Sequence, residues 1–147
     1  MRDEGLYLVD TSAWLFVLRR PPVTALRDRV GELLSADRVA VVGMVVLELL
    51  GGARTEQERI RLGERLGGLH RLPTPEGLWE EAAGLAWRLR RRGVTAPFTD
   101  VLIAASAMAY GAILLHADRD FDLIARHEPL RVESHVETVR AFRSGGP

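Results

Sequence analysis

The chain has 147 residues, 47% hydrophobic and 27% charged, the proportions of one globular domain with a substantial core. Twenty basic and twenty acidic side chains cancel, so global charge points to no polyanion partner, and any nucleic-acid contact needs a local patch. Every basic residue is arginine and cysteine is absent, which excludes a P-loop, Schiff-base chemistry, disulfides and thiolate catalysis.

In chain order, "LYLVD" (6–10) is a strand ending on Asp10, and Thr11 and Ser12 are N-cap types ahead of the helix "AWLFVL", stopped by Pro21 and Pro22. Leu26, Val30, Leu33 and Leu34 recur at helical spacing over 23–34. "RVAVV" (38–42) is a second strand, after which Gly43 opens a helix through "MVVLELL" that Gly51 and Gly52 close. Thr55 and Glu58 have capping-box spacing and open a polar helix to about Leu66. "LHRL" (69–72) is a short strand. Thr74-Pro75 reads as an N-cap followed by proline at the first position of a long helix to Arg92. Thr99 is expected to cap "DVLIAASAMAY" (100–110), which Gly111 ends. "AILLHAD" (112–118) is a strand, "FDLIAR" (121–126) a short helix and "LRVES" (130–134) the last strand, before a helical tail (136–147) that frays at "SGGP".

This alternation predicts an α/β chain, a single domain over 1–147 with a central parallel sheet of four to five strands and helices on both faces. The start, "MRDEGLYLVD", lacks the apolar core of a signal peptide. The longest weakly polar run, 101–115, is too short to span a bilayer, so a cytoplasmic protein without membrane contact is expected.

The acidic residues carry the functional signal. Ligands of open parallel sheets gather outside the carboxyl ends of the strands. Asp10 ends the first strand, Asp118 ends the strand "AILLHAD", and Asp120 follows two residues on. Asp100 opens a helix whose dipole favours an anion, and Glu48 stands alone in the apolar "MVVLELL". A carboxylate in such a setting needs a cation, either a metal or a structural arginine such as Arg54. Converging carboxylates repel unless a divalent ion holds them. Oxygen-only ligands suit Mg²⁺ or Mn²⁺, ions that activate water and stabilise the leaving oxygen of a phosphodiester.

"VDTSAW", "VVLELLGGAR", "FTDVLIAASAMAYG" and "LLHADRDFD", in this order over nearly the whole chain, resemble the PIN-domain nucleases, and most of all the VapC-type toxins of toxin–antitoxin pairs. The resemblance implies that Asp10, Glu48, Asp100 and Asp118 form a catalytic, metal-binding set. Thr11 or Ser12 would steady Asp10 or a metal water, and Asp120 would serve as a further acid. It gives Asp122 no firm role. It also implies a Mg²⁺- or Mn²⁺-dependent endoribonuclease with an RNA substrate, a homodimer, and a small antitoxin that blocks the acidic site. Two alternatives stand beside it: an inactive PIN-like RNA-binding or assembly module, and a Toprim-like phosphotransfer domain suggested by Asp118-Arg119-Asp120. The latter wants a glutamate after an early strand, where Asp10 stands.

Arg88, Arg90, Arg91 and Arg92 offer a phosphate-steering patch for RNA, although cations in a helix's last turn also simply complement its dipole. Trp14, Trp79 and Trp87 are expected as core or interface anchors. Of the scattered histidines, His70, His116, His127 and His135, His116 lies nearest the acids and is expected to pack at a strand end.

Overall fold

The computed structural model describes residues 5–144. Five strands, β1 (Tyr7–Val9), β2 (Val39–Val42), β3 (His70–Leu72), β4 (Ile113–His116) and β5 (Val132–Ser134), form one sheet in the order β3-β2-β1-β4-β5. All pairings are parallel, with Tyr7 opposite Val39 on one side and Ile113 on the other. The helices between them are α1 (Thr11–Leu18), α2 (Thr24–Ser35), α3 (Gly43–Gly51), α4 (Glu56–Gly67), α5 (Glu76–Arg91), α6 (Phe98–Ala109) and α7 (Arg119–Ala125). Helix α8 (Val136–Arg143) follows β5.

Strands are added outward from β1 through β2 to β3, and then the chain returns to place β4 and β5 on β1's other side. Right-handed crossovers that reverse their direction of travel put their helices on opposite faces of the sheet. The reversal point lies between β1 and β4, so their carboxyl ends flank the crevice where ligands of such sheets gather.

Strands β1 and β2 are buried along their whole length, as parallel strands covered on both faces must be. Helix α6 buries Val101 through Ala107 without interruption, which makes it a core helix and explains its lack of charge after Asp100. Helix α5 is amphipathic, burying Leu78, Ala82, Leu85 and Leu89 on one stripe. The tail expected to be helical forms α8 over Val136–Arg143. Helix α8 buries Val139, Arg143 lies over the Phe16 ring and Arg19 over the Phe142 ring. The end of "SGGP" falls outside the described residues. Among those described, no helix is long and apolar enough to cross a membrane.

Several helix starts differ from the sequence reading. Asp10, rather than Thr11 or Ser12, is the N-cap of α1. Pro75 and Pro97, both extended, occupy the N-cap positions expected of Thr74 and Thr99. Proline's fixed φ suits the residue entering a helix, and Thr99 is left exposed inside the first turn. Helix α7 begins at Arg119, two residues earlier than expected, because Asp118 caps it. Thr55 caps α4 through the Glu58 N–H, as the capping-box spacing predicts. Gly111 ends α6 at φ +63°, a left-handed conformation that side-chain-bearing residues avoid.

Candidate active site

Asp10 follows β1 directly. Its N–H continues the ladder to the Leu115 carbonyl of β4 at 2.9 Å, which fixes it beside the end of that strand. Its Oδ2 accepts the Ser12 N–H at 2.9 Å, the ordinary bond of an N-cap aspartate. Ser12 also accepts the Ala117 N–H on its Oγ at 3.0 Å, stitching the start of α1 to the end of β4. Asp10 is 3% exposed, and its Oδ1 is buried with no hydrogen-bond partner among the described residues. A buried carboxylate oxygen without a donor demands an explanation, and a cation supplies one. Burial, together with the Glu48 charge, raises the Asp10 pKa against the lowering effect of its Ser12 hydrogen bonds.

Asp100 is the third residue of α6, and Asp118 is the N-cap of α7, its Oδ1 accepting the Asp120 N–H at 2.9 Å. Asp100, Asp118 and Asp120 each place a carboxylate oxygen within 4.8 Å of the others. Burial, followed by the charges of Asp118, Asp10, Asp120 and Glu48, pushes Asp100 up to about 7. Asp120 is raised too, by burial and then by Asp118. The chain therefore concentrates negative charge at the starts of α1, α6 and α7, where helix dipoles offset part of the repulsion. The remainder calls for a hard divalent cation, and an all-carboxylate donor set fits one.

Glu48 is half-buried on α3. Among the described residues its partner is neither Arg54 nor another arginine but the Thr11 hydroxyl, which donates to Oε1 at 2.9 Å. The Thr11 hydroxyl thus serves Glu48, while the Thr11 backbone and that of Ser12 favour the Asp10 anion. Asp120, which the sequence offered only as a further acid, stands level with Asp100 and Asp118 in the tight group, while Asp10 and Glu48 border it by charge. None of the four histidines belongs to the group. His116 is fully buried at the end of β4, with Nδ1 accepting the Asp118 N–H at 3.1 Å. The feature that could have revealed it is the two-residue spacing of His116, Asp118 and Asp120, which suits side-chain bonds to the backbone two residues on.

The arginine run divides. Arg88 is paired with Glu128 at 2.8 Å, Arg90 lies 4.7 Å over the Phe98 ring, and Arg91 lies 4.7 Å over Trp87. Only Arg92, the C-cap residue of α5, has no such contact among the described residues. Trp14 is in the core, whereas Trp79, Trp87 and Phe98 are 55%, 61% and 64% exposed around an apolar groove of about 540 Å³. A second groove of about 630 Å³ begins at Glu48. It runs between α1 and α4, with Arg19, Arg20 and Arg54 beside Leu15, Leu18 and Leu62.

Residues 7–127 match the PIN domain family. The chain is 36% identical to "Ribonuclease VapC11" of Mycobacterium tuberculosis over 133 residues, which cover 88% of this chain and 98% of that protein. It is also 36% identical to "Ribonuclease VapC51" of the same organism over 122 residues, 81% and 85% of the two chains. The crystal structure of VapBC2 from Rickettsia felis bound to a DNA fragment from their promoter superposes with a TM-score of 0.74 at 22% identity. That match covers 88% of this chain and 98% of that one, and it bears on the fold alone. The Toprim-like alternative falls with the family match, whose span from residue 7 to 127 includes every one of the acidic motifs. With a family domain spanning most of the sequence and a relative matched over nearly its whole length, the chain belongs to the PIN-domain family, among the VapC ribonucleases.

Proposed function

We propose that the protein is a Mg²⁺- or Mn²⁺-dependent endoribonuclease, the toxin of a toxin–antitoxin pair, which hydrolyses RNA to 5′-phosphate and 3′-hydroxyl ends. The observation that carries this reading is the group of three carboxylates within 4.8 Å, set beside a buried Asp10 whose Oδ1 has no donor. RNA enters from the kinship with proteins named as ribonucleases.

Asp100, Asp118 and Asp120 would hold the ion, with Asp10 completing the set and Glu48 bordering it. Bound there, such an ion activates water and offsets charge on the leaving 3′-oxygen. The protein's part is to hold its carboxylates still. Ser12 pins one oxygen of Asp10, the Asp120 N–H pins one of Asp118, and Thr11 pins one of Glu48, so the acids cannot swing apart as their charges repel. Asp100, raised to about 7, would give up its proton in holding the cation.

The partner reading has its own supports. The apolar groove lined by Trp79, Trp87 and Phe98 suits a second copy of the chain, since exposed aromatic clusters of this kind mark interfaces. The groove that starts at Glu48, with arginines over a leucine floor, suits an acidic amphipathic segment of an antitoxin able to reach the carboxylates.

The test is cleavage of a mixed RNA pool by wild-type protein, Asp10→Asn and Asp100→Asn, in Mn²⁺ and in excess chelator. Cutting by wild type in Mn²⁺ alone, and by neither variant, is expected. RNA binding without cutting under every condition would favour the inactive module.

A further inference from the structure

We propose that His116 is a positioning residue for the acidic site: its buried imidazole accepts the Asp118 N–H and is itself anchored by Asp122, which sets where the Asp118 carboxylate stands. The proposal rests on reading Asp100, Asp118 and Asp120 as the cation site.

The argument starts from tautomer and burial. Nδ1 lies 3.1 Å from the Asp118 backbone N–H and must accept from it, so the ring proton belongs on Nε2. Nε2 faces Asp122 Oδ1 at 3.1 Å, off the line of a good hydrogen bond, which leaves the contact mainly one of charge with a dipole. Asp122 is fixed from its other oxygen, which accepts the Ser134 hydroxyl of β5 at 2.9 Å. The Phe121 ring packs against the imidazole at 5.2 Å between centroids. The His116 carbonyl accepts the His135 N–H at 2.7 Å. The ring is thus held at Nδ1, against Phe121 and beside Asp122.

The consequence falls on two ligands rather than one. His116 captures the N–H two residues on, and Asp118 then captures the N–H of Asp120, again two residues on. These successive bonds bend the chain from β4 into α7, and the carboxylates of Asp118 and Asp120 leave it at the second bend. A residue that only filled space at position 116 would leave the first bend without its acceptor. The Asp118 N–H would then compete for the oxygens that the cation needs.

Two substitutions separate acceptor from volume. In His116→Asn the amide oxygen stands near the place of Nδ1 and keeps the bond, as Asn does in such turns. In His116→Leu the size is kept and the acceptor is lost. Calorimetric titration of Mn²⁺ is expected to give His116→Asn an affinity within about threefold of wild type. His116→Leu is expected to be weaker by on the order of tenfold or more, the usual cost of losing a group that orients a metal ligand. Equal affinities for wild type and His116→Leu, or equal losses in both variants, would overturn the proposal. Should His116→Leu not fold, Asp122→Ala replaces it. That change leaves the acceptor but frees the ring, and Mn²⁺ affinity unchanged from wild type would remove the anchoring role. The His116 tautomer, read from nitrogen chemical shifts of the metal-free wild type, is a measurement in which no ion takes part: a proton on Nε2 agrees, and one on Nδ1 refutes. Wild type that binds no Mn²⁺ yet shows the Nε2 tautomer would instead sink the reading of the acids as a cation site.

Discussion

Asp100 turns the crowding of carboxylates into a measurable dependence on pH. Its burial and four acidic neighbours raise it to about 7 from an ordinary 3.8. At pH 8 such a group is about nine-tenths ionised and at pH 6 about one-tenth, so a cation that must displace its proton binds roughly tenfold more weakly at pH 6. An aspartate of ordinary pKa would be fully ionised at both values and would give a flat profile. Mn²⁺ titrations by calorimetry at pH 6, 7 and 8 read the difference directly. Asp100→Asn removes the titrating group, so affinity should be weaker throughout and the step near pH 7 should vanish. The folding stability of the metal-free protein follows from the same group. Between about pH 4 and pH 7 folded Asp100 keeps a proton that the unfolded chain releases, so folding binds protons and stability falls as pH rises through that window. Asp10 and Asp120, also raised, act in the same direction. A wild-type affinity that stays level from pH 6 to 8, or a step that survives intact in Asp100→Asn, would refute the reasoning.

Away from the acids, Arg29 of α2 grips Glu133 of β5 through Nε and Nη2 at 2.9 to 3.2 Å. Both side chains are part-exposed, and Arg29→Met should cost about 1–2 kcal/mol in urea unfolding. A loss below about 0.5 kcal/mol would mean that solvent screens the pair. Gly111→Ala meets no neighbour closer than 3.9 Å, so its cost, about 1 kcal/mol in the same assay, should come from the positive φ alone. For the proposed dimer, Trp79→Ser combined with Trp87→Ser should leave only monomer in sedimentation velocity at unchanged helicity. A dimer that persists would place the interface elsewhere.

The three central strands were readable because β1, β2 and β4 are short apolar runs, and parallel strands buried on both faces leave that pattern undiluted, whereas the edge strands β3 and β5 carry polar residues. Helix starts were harder. Thr11, Thr74 and Thr99 all have the chemistry of caps, but Asp10, Pro75 and Pro97 hold the N-cap positions. A residue's capacity to cap does not say which of two neighbours carries the extended backbone. Glu48 was conspicuous as the sole polar residue in its run, but its hydroxyl partner sits 37 positions away on α1, a distance no local pattern encodes. The arginines of "RLRRRG" show how little closeness in sequence says about direction. Near neighbours in sequence, Arg88, Arg90 and Arg91 fan out around α5 at 100° per residue, to Glu128, to Phe98 and to Trp87.

Asp10 and Asp118 each spend one oxygen closing the first turn of a helix. The proposed cation site and the folding code therefore share atoms, and a truncation at either position strikes both at once. Alanine there forfeits the turn, by about 1 kcal/mol, along with the charge, so its phenotype confounds two losses. Asparagine preserves the carbonyl acceptor and deletes only the anion. For this architecture, amide replacement is the clean scalpel, and an inactive alanine variant by itself teaches nothing about chemistry.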